Sequence, residues 1–273
     1  MAKRTELIII DPQVDFCEPA TGIGDPNRGS LCVDNADQDM IRLAAMIRKM
    51  GDRISQIHVT LDSHHLFDVA HPLFWINSKG DHPKWFTVIT ASDVANGVWI
   101  PVIVQKTQKM IDYTRKLEEG GRYPLCIWPP HCLIGSKGQM VYPPLFEALL
   151  EWETPRPRVI NYVTKGSNIW TEHYSAVKAE VPDPEDPSTQ LNTDFIDPLE
   201  EADIIYLAGE AGSHCLANTG RDIVKGFSDE SFIKKIILLE DATSPVKGYE
   251  QLQTDFISEM AEKGMQVATT TDF

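Results

Sequence analysis

No apolar run in the chain approaches the length of a membrane span. The N-terminal LIII is four residues long and leads straight into Asp11, so neither a signal peptide nor a membrane helix is expected there. Cysteine is scarce and odd in number: Cys17, Cys32, Cys126, Cys132 and Cys215 are spread without C-x-x-C spacing. That pattern speaks against a disulfide framework and predicts free thiols in a reducing, cytoplasmic setting. Positive charge is also short. Twenty-five lysines and arginines face 40 aspartates and glutamates, a formal net charge of −15, which argues against non-specific binding to nucleic acid or anionic membrane. Much of that acid lies in 180–203, so it says little about a substrate. No internal repeat or low-complexity tract is apparent.

What is present suits one large core. With 42% hydrophobic residues over 273 positions, a single domain spanning 1–273 is expected. Short β-branched runs recur at LIII (7–10), ISQIHVTL (54–61), RVINYVT (158–164), DIIYLAG (203–209), KKIILLE (234–240) and MQVATT (265–270). Helical periodicity lies between several of them. NADQDMIRLAAMIRKMG (35–51) places Met40, Leu43, Ala44, Ile47 and Met50 on one face and ends at Gly51, a C-cap signal. Residues 104–121, 145–152, 216–227 and 249–264 behave similarly. Strands alternating with helices predict an α/β fold with a mostly parallel sheet covered on both faces. Three segments break the alternation and read as long loops or insertions: 18–30, 72–127, which carries Phe74, Trp75, Trp85, Phe86 and Trp99, and 180–200.

Ligands of open parallel sheets bind beyond the carboxyl ends of the strands, so the residues that follow each run matter most. LIII delivers Asp11, IHVTL delivers Asp62, VINYVT delivers Lys165, IIYLAG delivers Glu210 and then Cys215, and IILLE delivers Asp241. The competing reading for any one of these polar residues is a strand that simply stops there. The convergence of an acid, a lysine and a cysteine is harder to dismiss. Cys215 follows a glycine turn with Ser213 as the expected N-cap, which puts its thiol in the first turn of a helix, where thiolates and oxyanions are stabilised. Inert packing is the competing reading for a free cysteine. Asp11 could take the thiol proton and Lys165 could favour the thiolate, although Asp11 or Asp15 could equally cap a turn. His214 adjoins Cys215 in sequence, but adjacent residues at a helix start point in different directions, so it is a weak candidate for the base.

LDSHHLFDVAH (61–71) suggests a metal. Asp62 and His64 are two apart at a strand end and can face the same way, and His71 follows after a short loop. Two imidazoles and a carboxylate suit zinc or another first-row divalent ion; His65 and Asp68 are spare candidates, and scattered surface histidines are the alternative.

Taken together, LIIIDPQVDFCE, VTLDSHH…H, WPPHCLIG, VTKG…YSA and GEAGSHCLANT resemble, in order and spacing, the isochorismatase-like cysteine hydrolases, and most of all the nicotinamidases. The resemblance implies a doubly wound α/β fold and an Asp–Lys–Cys triad at Asp11, Lys165 and Cys215. It implies one divalent metal ion, zinc first with iron, manganese or cobalt also compatible, held by Asp62, His64, His71 and the histidine of WPPHC, His131. It further implies a cis peptide between Glu210 and Ala211, an oxyanion hole from the N–H groups of Ala211 and Cys215, and an aromatic substrate between Phe16 and Trp128 with Tyr174 nearby. The implied activity is hydrolysis of nicotinamide, or a similar small aromatic carboxamide, to the acid and ammonia, a step of NAD salvage. Two rival readings remain at this point. The same triad could act on a ureido or carbamoyl amide or an isochorismate-like vinyl ether, or the chain could be a non-catalytic metal-binding assembly protein. The segments 18–30, 72–127 and 180–200 enlarge the chain around the pocket mouth, and the aromatics of 72–127 fit either a lid or a homo-oligomer interface.

Overall fold

The computed structural model describes residues 3–22 and 25–273; Ile23 and Gly24 of the expected 18–30 loop lie outside the described residues. The strands are β1 (Thr5–Ile10), β2 (Gln56–Asp62), β3 (Trp75–Ile76), β4 (Val88–Ile89), β5 (Ile100–Pro101), β6 (Leu125–Cys126), β7 (Asn161–Lys165), β8 (Ile204–Gly209), β9 (Ile236–Leu239) and β10 (Gln266–Ala268). The helices are α1 (Val14–Cys17), α2 (Ala36–Met50), α3 (Ala91–Ala95), α4 (Thr107–Gly120), α5 (Pro143–Glu153), α6 (Thr193–Glu200), α7 (Cys215–Gly226) and α8 (Glu250–Lys263).

Six strands form one parallel sheet in the order β10-β9-β8-β1-β2-β7. All six coincide with the β-branched runs of the sequence. Every residue of β1 is buried, and all of β8 after Ile204. A strand covered on both faces must be apolar throughout, which is why these segments read as continuous runs rather than alternating ones. β7 lies at the edge and is largely exposed. On α2 the predicted face is buried, and the chain leaves the helix at Gly51. α2 packs on α5, while α7 packs on α6 and α8. Among the described residues, no helix is long and apolar enough to cross a membrane.

From β1 the chain moves outward to β2 and β7, then returns across β1 to β8 and continues to β9 and β10. The reversal lies between β1 and β8, and such a switch point is where crevices open at the carboxyl edge of a doubly wound sheet. Asp11 and the turn leading to Cys215 stand on either side of it.

Two of the three insertions are more ordered than the sequence suggests. Segment 72–127 carries the antiparallel pairs β3–β5 and β4–β6 and, with α3 and α4, builds a second core containing Phe74, Trp75, Ile89, Met110, Tyr113 and Leu117. Phe74 and Trp75 are wholly buried there, whereas Trp85 and Phe86 are exposed. These aromatics therefore do not act as one surface. Segment 180–200 contains α6, whose stripe Phe195, Ile196 and Leu199 is buried; Pro198 and the acidic surroundings hide that stripe from pattern reading.

Candidate active site

At the carboxyl edge, four strand ends bring their polar residues together. Lys165 Nζ lies 2.9 Å from Asp11 Oδ2, 3.0 Å from Asp62 Oδ1 and 3.6 Å from Cys215 Sγ. The Asp11 and Asp62 carboxylates and Cys215 Sγ lie within 4.8 Å of one another, all buried. The one ammonium offsets part of the charge of the two carboxylates it touches. Thr60 on β2 fixes Asp11 twice: its Oγ1 accepts from Asp11 N at 3.0 Å and donates to Asp11 Oδ1 at 2.5 Å. Asp11 adopts φ +41, an uncommon conformation for a residue with a Cβ and one that recurs at functional sites.

Two glycines make the approach possible. At the end of β8, Gly209 has φ +112, and a Cβ there would stand 2.1 Å from the Ile10 carbonyl oxygen. After β7, Gly166 has φ +85, and its Cβ would meet Asp62 Oδ1 at 2.7 Å. A side chain at either position would push the facing residues apart.

Burial dominates the electrostatics. It drives the Asp11 carboxyl upward against the opposing pull of Lys165. It also works against the charge on Lys165, but Asp11, Asp62 and Cys215 outweigh it and raise the lysine well above its ordinary value. Burial likewise pushes the Cys215 thiol well up, with Lys165 pulling the other way. The net direction is opposite to the one expected from a helix N-terminus and a lysine alone, so the resting group is a thiol that needs a base beside it.

A second cluster adjoins the first through Asp62. Its Oδ2 lies 3.0 Å from His64 Nε2 and 3.5 Å from His131 Nε2, and ligand atoms of Asp62, His64 and His131 fall within 4.8 Å of one another. The His71 ring stands 5.1 Å from that of His64 and 5.5 Å from that of His131; its Nε2 is buried without a partner among the described residues. The opposite nitrogen of each ring is held. His64 Nδ1 meets Asp68 Oδ2 at 3.2 Å, His71 Nδ1 meets the His65 carbonyl at 3.0 Å, and His131 Nδ1 meets the Pro129 carbonyl at 2.8 Å. Three imidazoles anchored at Nδ1, with a carboxylate beside them, make a donor set that fits a divalent cation, the outer partners fixing each tautomer. Burial pushes His71 down to about 3, which leaves it neutral and able to donate a lone pair. Of the two spare candidates, Asp68 is an anchor for His64, and His65 is exposed and contributes only its carbonyl.

Sequence gave no reason to expect Asp15 here. Its Oδ2 accepts the Cys132 N–H at 2.6 Å and its Oδ1 the Ser30 N–H at 2.9 Å, so it ties down the loop that carries His131. Cys132 takes φ +46 and is fully buried. Gln13 plays a similar part for Asp62, bonding its N–H and its carbonyl at 2.7 and 2.8 Å.

The Glu210–Ala211 peptide is cis. Ser213 is not the N-cap of α7: His214 occupies that position, and Ser213 Oγ instead accepts the Val246 N–H at 3.0 Å and meets His214 Nδ1 at 2.9 Å. His214 stacks on Tyr123 with centroids 5.0 Å apart and crosses Trp128 edge-to-face. Burial pushes it down to about 4. It is a neutral ring held among aromatics. Not every strand end contributes to the site. Glu210 turns toward Ser244, whose N–H it accepts at 3.2 Å, and Asp241 binds the N–H and hydroxyl of Thr270, each at 2.7 Å.

Phe16, Leu31, Asp62, Trp128, His131, Glu172, Tyr174, Ala211, His214, Cys215 and Val246 enclose a cavity of about 30 Å³, so Phe16, Trp128 and Tyr174 share one cavity wall with Cys215. Trp128 Nε1 donates to Tyr174 Oη at 3.0 Å, and Phe86 from segment 72–127 covers Trp128 edge-to-face at 5.8 Å. Glu172 was not anticipated. It lies seven residues beyond Lys165 in a segment whose sequence announces only Y-S-A, and burial raises its carboxyl to about 7.

No family model and no curated protein matches the sequence. Solved structures do match in fold. The chain superposes on a nicotinamidase/pyrazinamidase of Acinetobacter baumanii with a TM-score of 0.63 and 20% identity, covering 99% of this chain and 98% of that one. It superposes on the yeast nicotinamidase bound to the inhibitor nicotinaldehyde with a TM-score of 0.64 and 16% identity, covering 97% and 99%. A pyrazinamidase of Pyrococcus horikoshii in complex with zinc gives 0.55 and 18% over 97% and 99%. The chain therefore has the doubly wound α/β fold of these proteins over nearly its whole length.

Proposed function

We propose that this chain is a metal-dependent cysteine amidohydrolase, one domain throughout, that converts nicotinamide or a similar small aromatic carboxamide to the carboxylic acid and ammonia. The observation that carries the reading is the contact of Lys165 with Asp11, Asp62 and Cys215 at the switch point of the sheet, beside a donor set that fits a divalent cation.

Asp11 takes the thiol proton of Cys215 as sulfur attacks the carboxamide carbon. Lys165 compensates the charge that passes between them. The carbonyl oxygen becomes an oxyanion facing the N–H groups of Ala211 and Cys215; the latter is the first residue of α7, where N–H groups have no intrahelical acceptor. Collapse expels ammonia, which leaves with the proton from Asp11, and a thioester remains on Cys215. Water, deprotonated by Asp11, then cleaves the thioester, and Asp11 returns the proton to the Cys215 sulfur. Asp62, His64, His71 and His131 would hold a divalent ion, zinc being the first choice, which would supply Lewis acidity toward the pyridine nitrogen. Phe16, Trp128 and Tyr174 clasp the ring.

Ammonia release from nicotinamide tests this reading. Turnover that is lost on chelation and restored by zinc, iron, manganese or cobalt supports it. Pyruvate release from isochorismate without ammonia from any amide would replace it with the vinyl-ether reaction.

A further inference from the structure

Each polar group on the cavity wall but one has a task or a partner. Asp62 and His131 belong to the metal cluster, Cys215 contacts Lys165, His214 is held by Ser213, and the hydroxyl of Tyr174 receives the indole N–H of Trp128. Glu172 is the exception. Its backbone N–H donates to Tyr113 Oη at 2.9 Å, its carbonyl accepts the Glu180 N–H at 2.9 Å, and its Oε1 accepts the His173 N–H at 3.0 Å. The side chain is therefore fixed in place. Its second oxygen, Oε2, is buried and has no hydrogen-bond partner among the described residues, although Glu172 is one of the residues that enclose the cavity.

A buried carboxyl oxygen left without a donor is costly, and the cost is recovered when a ligand supplies one. The residues that would hold the ring by stacking, Phe16 and Trp128, carry no charge. A carboxyl fixed among them adds a preference that stacking cannot give. We propose that Glu172 is a specificity-determining residue that accepts a hydrogen bond from an amino or hydroxyl substituent on the aromatic ring, so that the preferred substrate is a donor-substituted aromatic carboxamide rather than plain nicotinamide. This inference deepens the amidase reading and rests on it for the carboxamide alone. Sites built to bond a polar substituent reject the analogue that lacks it far more strongly than apolar sites discriminate by size.

The test compares amino- and methyl-nicotinamides, matched in size at each free ring carbon. Binding is measured by calorimetry to the metal-loaded full-length Cys215→Ala protein, alone and combined with Glu172→Gln or Glu172→Leu. At one ring position the amino compound should bind about tenfold or more tightly than its methyl twin. The ratio should persist in part with Glu172→Gln, whose amide oxygen still accepts, and fall to about one with Glu172→Leu at equal metal content. Equal ratios in all three proteins, or no amino preference at any position before Glu172 is changed, overturns the proposal. So does loss of metal in Glu172→Leu, which would assign the residue to the ion. Absence of ammonia release from every amide in the wild type would overturn the amidase reading, while the binding ratios would still decide the role of Glu172.

Discussion

Lys165 Nζ stands 3.0 Å from Asp62 Oδ1, while the other oxygen of that carboxylate lies 3.0 Å from His64 Nε2. One aspartate thus joins the reacting cluster to the cluster that fits a metal. Lys165 in turn is the single ammonium between Asp62 and Asp11, at side-chain exposures of 1%, 5% and 0%. Removing it leaves two buried carboxylates facing each other. Lys165→Met should destabilise the metal-free protein by about 3–5 kcal/mol, the cost of breaking a buried pair from one side. Urea unfolding of the two proteins measures it; a loss below about 1 kcal/mol would show that the contact carries little.

Asp68 touches the histidine cluster that fits a cation through His64 Nδ1, while its other oxygen accepts the Ala70 N–H at 3.0 Å. Outer partners of this kind set the tautomer and basicity of the ligand they hold. Asp68→Asn should therefore weaken metal affinity about 10–100-fold with Cys215 still titratable by a thiol reagent. Competition with a chromogenic chelator gives the affinity, and an unchanged value would remove Asp68 from the metal site.

His214 provides a stability signature against pH. Its folded-state value is pushed down to about 4 by burial, from an ordinary 6.5. Between these values the unfolded chain binds a proton that the folded chain refuses, so stability is present above pH 6.5 and is lost as pH falls toward 4. The loss from this ring is on the order of 3 kcal/mol. His173, pushed down to about 3 by burial and then Lys165, adds a loss of the same sign. Denaturation midpoints from pH 7 to pH 4 should fall less steeply for His214→Gln than for the wild type; parallel curves would contradict the assignment.

These residues also mark how far the sequence could be read. The six sheet strands were legible because a parallel sheet covered on both faces demands unbroken apolar runs; Asp11 and Lys165 stood out because each directly follows or closes such a run, and Cys215 because it follows one after a glycine turn. His131 was not, except through resemblance. Its loop reaches His64 by an isolated bridge between His64 and Leu133 and is tied to α1 by the hydrogen bond from the Cys132 N–H to Asp15, contacts between distant segments that leave no periodic trace. Ser213 misled because Ser before an apolar helix is an N-cap signal, yet here Val246 and His214 claim its hydroxyl. Glu172 escaped because one acid in a polar loop looks like any other until the fold buries it.

Phe86 bears on access to the site. It adopts φ +65 and is half exposed, and its ring rests on Trp128, a wall of the cavity. The cavity of about 30 Å³ is far smaller than the roughly 150 Å³ in which an engineered protein cavity holds benzene. An aromatic substrate must therefore displace part of the wall, and the covering contact from segment 72–127 is a natural place for that movement. Phe86→Ala should lower KM for nicotinamide several-fold with a smaller change in kcat, as expected when a contact that must break for binding is removed; steady-state kinetics reads both, and an unaltered KM would place the opening elsewhere.

The central claim is that Cys215 is the nucleophile, and the decisive measurement is ammonia release from nicotinamide by metal-loaded wild type and Cys215→Ala, with metal content determined on the same samples. Turnover by the wild type and none above background by Cys215→Ala, at equal metal content, is the expected result. Ammonia release by Cys215→Ala at a rate comparable to the wild type would contradict it.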